Sequence, residues 1–267
     1  MGDTSALRGW PEDSAVVIQR VSAHANEVLY AQGDLSLRRP WASVSKLVTS
    51  WGVARMASRG EFDLDAPDHE GVTMAHLLAH ASGWGLEENS PRAAVGTRRI
   101  YSNVGVDRAV ALVTNDPAAW CAVEVFAPLG LTSCSLEGRP AAGVVGSLED
   151  MGELMSAWRR GDDLREETHR RFRSPFLPTL AGVVPGFGRF DPCPWGLGPE
   201  VRGQKSHWMG STTSPATFGH FGQSGTLALV EPDRDLVIVA AAGEDFGPWA
   251  AVRWPSWTDE MMERFAA

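Results

Sequence analysis

Residues 226–242 read TLALVEPDRDLVIVAAA and decide the fold class. Two aliphatic runs, 226–231 and 236–242, flank the segment PDRD, which has the composition of a hairpin turn. Near the other end of the chain, residues 15–21 (AVVIQRV) and 27–31 (EVLYA) are short runs rich in β-branched residues. Together these runs predict one antiparallel sheet that is built from both ends of the chain.

The middle of the chain is predicted to be mostly helical. Apolar residues recur every three or four positions across 43–59, and Gly60 follows where a C-cap is expected. Residues 174–219 are rich in Pro, Gly and Trp without clear periodicity, which predicts long loops with short strands. Further helices are predicted at 73–81 with Thr73 as N-cap, at 104–113 and 117–127, at 147–159 with a Ser-x-x-Asp cap, and at about 256–266.

The predicted fold class is α+β, with helices flanking the antiparallel sheet beside a mostly helical lobe. A length of 267 residues predicts a single domain, 1–267, with two sublobes. Residues 14–40 and 217–267 would form the sheet lobe, and residues 41–216 the mostly helical lobe with its loops. A cleft between two lobes is a common place for a ligand site.

Composition excludes several classes of partner. The net charge is −9 and the basic residues are scattered, which argues against a nucleic-acid surface. No apolar run reaches the roughly 18 residues of a membrane span. Residues 1–13 lack the features of a secretory signal, and three cysteines without metal spacing indicate reduced thiols. These features predict a cytoplasmic protein without nucleic-acid or membrane partners, and they leave its oligomeric state open.

Ser43 and Lys46 are the first candidate catalytic pair. They stand three residues apart at the start of the predicted helix, so their side chains share one helical face. A serine hydroxyl is a weak nucleophile alone, but a neutral lysine beside it can take its proton. Burial and neighbouring positive groups lower the pKa of a lysine. The alternative is a surface lysine near a capping serine, although the chain contains only two lysines.

The segment Tyr101-Ser102-Asn103 provides a second pair of candidate groups. A tyrosine two residues before an asparagine can place a phenol and an amide on one side of an extended loop. The phenol could relay a proton between the serine and a leaving group, and the amide could bind the lysine and a substrate carbonyl. The alternative is a turn residue after a partly buried tyrosine.

The segment His220-Phe221-Gly222 lies before the predicted strand 226–231 and forms the third motif. His220 could supply a hydrogen bond or a partial positive charge beside the serine. Gly222 would let a substrate lie close against the strand edge, and the N–H of Gln223 would be an oxyanion donor. Taken alone, a histidine in such a place is usually a solvated or packed residue.

In this order, Ser-x-x-Lys, Tyr-x-Asn and His-x-Gly resemble the motifs of the serine β-lactamase and penicillin-binding protein superfamily. The similarity is greatest to its class C β-lactamase-like branch, which includes esterases, D-aminopeptidases and transacylases. It covers the chain from about residue 14 to the end. The similar stretches are 40–50 (PWASVSKLVTS), 74–86 (MAHLLAHASGWGL), 101–106 (YSNVGV), 126–136 (FAPLGLTSCSL), 140–151 (PAAGVVGSLEDM), 195–198 (WGLG), 219–226 (GHFGQSGT) and 231–239 (EPDRDLVIV).

The resemblance implies the β-lactamase/transpeptidase-like fold and a two-step acyl transfer. Ser43 would be the acylated nucleophile, and Lys46 and Tyr101 would share the general-base and proton-relay work. Asn103 would orient the lysine and the substrate. The N–H groups of Ser43 and Gln223 would form the oxyanion hole. No metal and no organic cofactor is implied.

One departure from the family pattern bears on the substrate. His220 takes the place of the third-motif lysine, which as a fixed positive charge helps to bind the carboxylate of penicillins and peptidoglycan stems. A histidine is mostly neutral at pH 7. This departure favours an esterase-like or other acyl-transfer role over antibiotic hydrolysis.

The leading hypothesis is a cytoplasmic serine hydrolase that cleaves a small-molecule ester or amide. Within this class, the favoured activity is that of an esterase for small or medium apolar acyl groups. An acyltransferase or tailoring enzyme of secondary metabolism would use the same nucleophile with another acceptor. A β-lactamase or D-Ala-D-Ala peptidase fits less well. The hypothesis from another class is a non-catalytic binding module of the same fold, which predicts no covalent adduct at Ser43.

Aromatic and histidine residues add two smaller predictions. Tryptophans in segments expected to surround the cleft are candidates for an apolar substrate pocket. They are Trp41, Trp84, Trp195 and Trp208. His76 and His80 stand four residues apart on a predicted helix, but Leu77 occupies the position where a metalloprotease helix needs Glu. No metal site is therefore predicted, and both histidines are expected to be packed or hydrogen-bonded.

Overall fold

The computed structural model describes residues 5–23 and 25–265. Strands and helices of this part of the chain are named in chain order. The strands are β1 (Ala15–Val21), β2 (Asn26–Gln32), β3 (Arg39–Pro40), β4 (Ser135–Leu136), β5 (Val144–Gly146), β6 (Gly182–Val184), β7 (Gly188–Phe190), β8 (Glu200–Val201), β9 (Phe218–Gly222), β10 (Thr226–Glu231) and β11 (Leu236–Ala241). The α-helices are α1 (Ser45–Arg59), α2 (Met74–Leu78), α3 (Asn103–Ala111), α4 (Pro117–Cys121), α5 (Ala127–Leu129), α6 (Leu148–Arg160), α7 (Glu166–Arg173) and α8 (Pro248–Phe265). A π-helical segment, Ala122–Phe126, joins α4 to α5.

A six-stranded antiparallel sheet in the order β2-β1-β11-β10-β9-β8 forms the centre of the fold. Strand β1 from the start of the chain pairs with β11 from its end, with Ile18 opposite Ile238. The turn after β10 joins it to β11 in register, with Glu231 opposite Leu236. The predicted α+β fold, with a sheet built from both chain ends, is confirmed.

Different helices cover the two faces of this sheet. Successive side chains of a strand point to opposite faces. Val16 and Ile18 accordingly share a buried cluster with Trp254 of α8, whereas Val17 shares another with Met155 of α6. Burial on both faces explains why β10 and β11 read as nearly continuous aliphatic runs.

Several predicted helix ends are confirmed by their caps. Gly60 ends α1 in the left-handed region at φ +76°, which glycine adopts without a Cβ penalty. Ser147 accepts a hydrogen bond from the N–H of Asp150 at the start of α6. Thr73 accepts one from the N–H of His76 at the start of α2.

Other boundaries differ from the sequence prediction. Helix α2 ends at Leu78, earlier than predicted, and His80 beyond it has a φ of +57°, which does not continue a helix. Helix α8 begins at Pro248 instead of 256 and carries Pro255 in its interior. Helix α7 was not predicted. Residues 174–219 form loops with short strands, as predicted.

Among the helices of residues 5–23 and 25–265, none has the length and apolar character that a membrane span requires.

Two small sheets lie apart from the central sheet. Strands β3, β5 and β4 form a three-stranded sheet, and β6 and β7 form a hairpin. Strand β3 pairs with β5, so residues 39–40 lie next to 145–146. Residues 39–40 lie just before the turn that carries Ser43.

Candidate active site

Ser43 lies in a 3₁₀ turn, Ala42–Val44, directly before α1. The turn begins with a strained residue, because Ala42 has a φ of +45°, a region that residues with a Cβ rarely adopt. The side chain of Ser43 is half-buried. This placement puts the hydroxyl at the N-terminus of a 15-residue helix, where backbone N–H groups lack intrahelical partners.

Lys46 is fully buried one turn further along, with no exposed surface. Its Nζ lies 3.1 Å from Ser43 Oγ, 2.8 Å from Asn103 Oδ1 and 2.9 Å from the carbonyl oxygen of Ala141. Burial lowers the pKa of this lysine from 10.5 to about 7, although nearby carboxylates oppose the change. About half of the molecules would therefore carry a neutral amine at pH 7.

The three partners of Lys46 fit a neutral amine. The amide oxygen of Asn103 and the carbonyl oxygen of Ala141 can only accept, so they take the two N–H bonds. The remaining lone pair then faces the hydroxyl of Ser43. A neutral Lys46 held in this way can accept the proton of Ser43.

Glu87 fixes the orientation of the Asn103 amide. Asn103 Nδ2 donates to Glu87 Oε1 at 2.8 Å, and a carboxylate oxygen can only accept. The opposite atom, Oδ1, must therefore point to Lys46. The N–H of Asn103 also donates to the carbonyl of Leu86, which ties the start of α3 to the same loop.

Further contacts connect Glu87 with the other fixed acceptor of Lys46, the carbonyl oxygen of Ala141. Arg139 lies between two carboxylates, with Nη1 2.6 Å from Glu87 Oε2 and Nη2 2.5 Å from Asp107 Oδ2. Asp107 Oδ1 accepts from the N–H of Ala141 at 2.9 Å, and the carbonyl of Ala141 accepts from Lys46. We call Glu87, Arg139 and Asp107 the Arg139 bridge. It holds two of the three partners of the lysine in place.

Tyr101 lies close to both Ser43 and Lys46. Its hydroxyl is hydrogen-bonded to Ser43, and its ring centroid lies 4.8 Å from Lys46 Nζ. Burial raises the pKa of this phenol, so it is protonated at neutral pH. The structure thus brings together Ser43, Lys46, Tyr101 and Asn103, the residues of the first two motifs.

His220 completes this side of the site in a defined tautomer. Its Nδ1 lies 2.7 Å from the carbonyl oxygen of Phe221, which only accepts, so Nδ1 carries the proton. The lone pair on Nε2 faces the hydroxyl of Tyr101 at 3.4 Å. Burial, reinforced by Lys46, lowers the pKa of His220 to about 3. At pH 7 the ring is a neutral acceptor, so the partial positive charge considered from the sequence does not fit this structure.

Gly222 is needed for a reason that the sequence did not indicate. A Cβ at this position would lie 2.4 Å from the carbonyl oxygen of Trp41 and 2.4 Å from Thr226 Oγ1. The protein backbone itself, not a substrate, therefore occupies the space beside this glycine. This close approach places Gln223, exposed at the start of the next turn, beside the segment that carries Ser43.

Three aromatic side chains pack against the ring of Tyr101. The ring centroids of His80, His220 and Trp195 lie 4.7, 5.8 and 5.9 Å from that of Tyr101. His80 is buried, and its Nδ1 accepts from the N–H of Ser102 at 3.2 Å. The expectation that His80 is packed and hydrogen-bonded is confirmed.

The four tryptophans predicted to line a substrate pocket are placed differently. Trp41, Trp195 and Trp208 are at most 2% exposed, and their indole N–H groups donate to protein acceptors. Trp84 is half-buried, with the guanidinium groups of two arginines about its ring. A cleft of about 610 Å³ does open beside Tyr101, but none of these tryptophans lines it. Three of the four rings pack into the core, and the ring of Trp84 stacks with arginines instead.

Sequence reasoning missed Ala141 and the Arg139 bridge. A backbone carbonyl such as that of Ala141 carries no residue-type signal. Glu87 and Arg139 come from loops far apart in the chain. Only Asp107 could have been found, because it stands four residues after Asn103 and so shares a face of α3.

No group of three or more His, Cys, Asp or Glu residues within the described ranges could hold a metal ion. His76 takes part in the cap of α2, where its Nδ1 accepts from the N–H of Thr73. The acid–base groups around Ser43 are a lysine, a phenol and a neutral imidazole.

The fold and the site together define a class of protein: a mixed α/β chain in which a serine and a buried lysine meet a tyrosine between the sheet and the helices. The family model described as Beta-lactamase matches residues 36–256, which is more than half of the chain. The chain therefore belongs to the beta-lactamase family, and the resemblance seen in its motifs is confirmed.

Solved structures agree with this assignment. A beta-lactamase from Mycobacterium bovis is 33% identical, with 98% of this chain and 100% of that chain covered and a TM-score of 0.89. Unliganded simvastatin synthase (LovD) from Aspergillus terreus is 16% identical, with coverage of 98% and 96% and a TM-score of 0.77. A D-stereospecific amidohydrolase from Streptomyces sp. is 16% identical, with coverage of 98% and 96% and a TM-score of 0.70. The last two show similarity of fold alone. No curated protein matches the sequence significantly.

Proposed function

We propose that this protein is a serine hydrolase that cleaves a small-molecule ester or amide through an acyl-enzyme on Ser43. Esters of small or medium apolar acyl groups are the substrates we favour. A cytoplasmic location belongs to the same proposal, and the free thiols of its three cysteines support it.

The observation that carries the proposal is the environment of Lys46. A buried amine with a pKa of about 7 and two fixed acceptors is a general base suited to neutral pH. Its third contact is the hydroxyl of Ser43. A module that only binds ligands would have no need to keep an amine in the core at this cost.

In the first step, the Ser43 proton moves to Lys46 Nζ while Oγ forms a bond to the substrate carbonyl carbon. The carbonyl oxygen becomes an oxyanion, for which the N–H groups of Ser43 and Gln223 are our proposed donors. The tetrahedral intermediate collapses by breaking the bond to the leaving oxygen or nitrogen. That atom takes a proton from the Tyr101 hydroxyl, and the proton that Lys46 took from Ser43 then restores the phenol.

In the second step, water attacks the acyl carbonyl carbon. Its proton passes through the Tyr101 hydroxyl to the neutral amine of Lys46. The bond from the carbonyl carbon to Ser43 Oγ breaks, and Oγ recovers its proton. Tyr101 suits the relay because its hydroxyl touches Ser43 and faces the lone pair of His220. A neutral phenol can donate to a leaving group and accept from water in turn.

A second candidate is hydrolysis of β-lactams, which the name of the Mycobacterium bovis relative favours. The neutral His220 weighs against it, because its available nitrogen is an acceptor and would not attract the carboxylate of a penicillin. Transfer of the acyl group to an acceptor other than water would use the same first step.

The test compares p-nitrophenyl butyrate with a penicillin as substrates for the wild type and for Ser43→Ala. We expect turnover of the ester that is lost in the variant, with little or no turnover of the penicillin. Faster turnover of the penicillin would favour the second candidate. Ester turnover that survives in Ser43→Ala would overturn the proposal. Ser224→Ala is a matched control, since that serine hydroxyl donates to the carbonyl of Pro40 instead.

A further inference from the structure

The cleft beside Tyr101 has two fixed walls. One is the segment 97–101, which leads into the catalytic tyrosine, and the other is the segment 181–185 with the start of the β6–β7 hairpin. The N–H of Arg99 donates to the carbonyl of Ala181 at 2.9 Å, and Arg99 pairs with Gly182 in a parallel bridge. The two walls are thus held at a set distance from each other.

Arg99 is structural in this arrangement. It is 3% exposed, and its guanidinium donates to the carbonyls of Cys193 at 2.6 Å and Phe176 at 2.8 Å, among others. These carbonyls use its donors. Arg99 therefore anchors the wall and leaves ligand contacts to its neighbours.

The inner surface of the cleft is largely apolar. Leu86, Ile100, Val183 and Pro185 contribute to it. Leu86 and Val183 are 47% and 55% exposed, so their aliphatic surface is open to a ligand in the cleft. Aliphatic surface that stays open beside Tyr101, whose hydroxyl contacts Ser43, is suited to an apolar part of a substrate.

The charged groups of the cleft are all cationic. Arg98 and Arg189 line it together with Arg99, whereas none of the described lining residues is Asp or Glu. This is unexpected in a chain with a net charge of −9. No carboxylate of the described chain pairs with Arg98, and Arg189 meets only Asp191, at 3.6 Å and with both side chains well exposed. Such an exposed pair is weak and can be replaced by a ligand.

From these observations we propose that the cleft selects substrates whose apolar part ends in a carboxylate, which Arg98 and Arg189 bind. The proposal rests on the acyl-enzyme chemistry of Ser43 and names the substrate class of that site. A guanidinium presents paired N–H donors that match a carboxylate, so two of them in the lining of an apolar cleft give both charge and geometric selectivity. His220, a neutral acceptor, would not compete for that carboxylate.

The kinetic test uses pairs of esters that differ only in one charge. The acyl arm compares a p-nitrophenyl monoester of a linear dicarboxylic acid with the same compound methylated at its far carboxylate. The leaving-group arm compares a carboxyalkylphenyl butyrate with its methyl ester. We expect about a tenfold preference in kcat/KM for the acid in one arm, which weakens as salt is raised above physiological ionic strength.

Arg98→Ala combined with Arg189→Ala should bring that preference ratio close to one. Arg170→Ala is the matched control, because this exposed arginine on α7 does not line the cleft and should leave the ratio unchanged. Thermal unfolding of each variant verifies that the fold is retained. The ratio is read within each variant, so a general loss of activity does not affect it.

A binding measurement separates this proposal from the catalytic one. Calorimetric titration of Ser43→Ala with monomethyl suberate, and with dimethyl suberate as the neutral control, does not depend on turnover. Binding of the acid that is lost on removal of both arginines supports the proposal even if no ester is cleaved. Equal binding of both compounds, or equal kcat/KM in both arms, overturns it. Turnover of p-nitrophenyl butyrate by Ser43 would then still stand.

Discussion

Arg139→Ala is expected to shift the pH dependence of ester hydrolysis to higher pH. The guanidinium of Arg139 lies between Glu87 and Asp107, at 2.6 and 2.5 Å. Both carboxylates raise the pKa of Lys46, and Arg139 opposes them. Removing the cation leaves two uncompensated negative charges near the buried amine, so the pKa of Lys46 must rise.

The size of the effect follows from the fraction of neutral lysine. With a pKa of about 7, about half of the Lys46 amines are neutral at pH 7. A rise of one pH unit in that pKa would leave about a tenth neutral, so kcat/KM at pH 7 should fall about fivefold. The sign of the pH effect is fixed, because the base acts only when deprotonated. Activity should decline as pH falls and recover at about pH 9.

The assay is the full pH profile of kcat/KM for p-nitrophenyl butyrate. Arg139→Lys keeps a cation between the carboxylates and should restore most of the wild-type profile. Arg38→Ala is the control, because it breaks an exposed ion pair with Glu137 at 2.9 Å that does not touch the lysine. A uniform loss of activity at all pH values, with an unmoved acidic limb, would refute the electrostatic role of Arg139.

Three further substitutions test separate parts of the account. Lys46→Arg keeps the charge but cannot act as a base near neutral pH, so kcat should fall at least about 100-fold in steady-state assays; near-normal turnover would contradict this. Gly222→Ala places a Cβ 2.4 Å from the carbonyl oxygen of Trp41, so both kcat and the melting temperature should fall, and no change in either would be contrary evidence. Ala42→Gly removes the strain at φ +45°, so it should keep activity without lowering the melting temperature. Ala42→Val should lower the free energy of unfolding by about 1–2 kcal/mol in denaturant titration. Equal stability of the two variants would argue against strain at this residue.

Local signals in the sequence were sufficient for the central sheet and for many helix ends. The aliphatic runs on either side of PDRD form β10 and β11, and Gly60 and Ser147 cap helices where expected. The start of α8 could not be read in this way. Pro255 lies inside that helix, where a proline is disfavoured and normally marks an end or a first turn.

The candidate site was predictable where a side chain carries the signal. Ser43, Lys46 and Asn103 meet as the motifs implied. The carbonyl of Ala141 has no such signal, and the Arg139 bridge joins segments that only the tertiary fold brings together. The tryptophan prediction failed for another reason: the sequence gives the position of each ring along the chain, whereas packing decides the direction in which it points.

The most direct test of the central claim is intact-protein mass spectrometry after rapid acid quench of a reaction with p-nitrophenyl butyrate. The wild type is predicted to gain the mass of one butyryl group, and peptide mapping should locate that group on Ser43. The Ser43→Ala variant should show no adduct. An adduct at another residue, or hydrolysis of the ester by Ser43→Ala at the wild-type rate, would contradict the account.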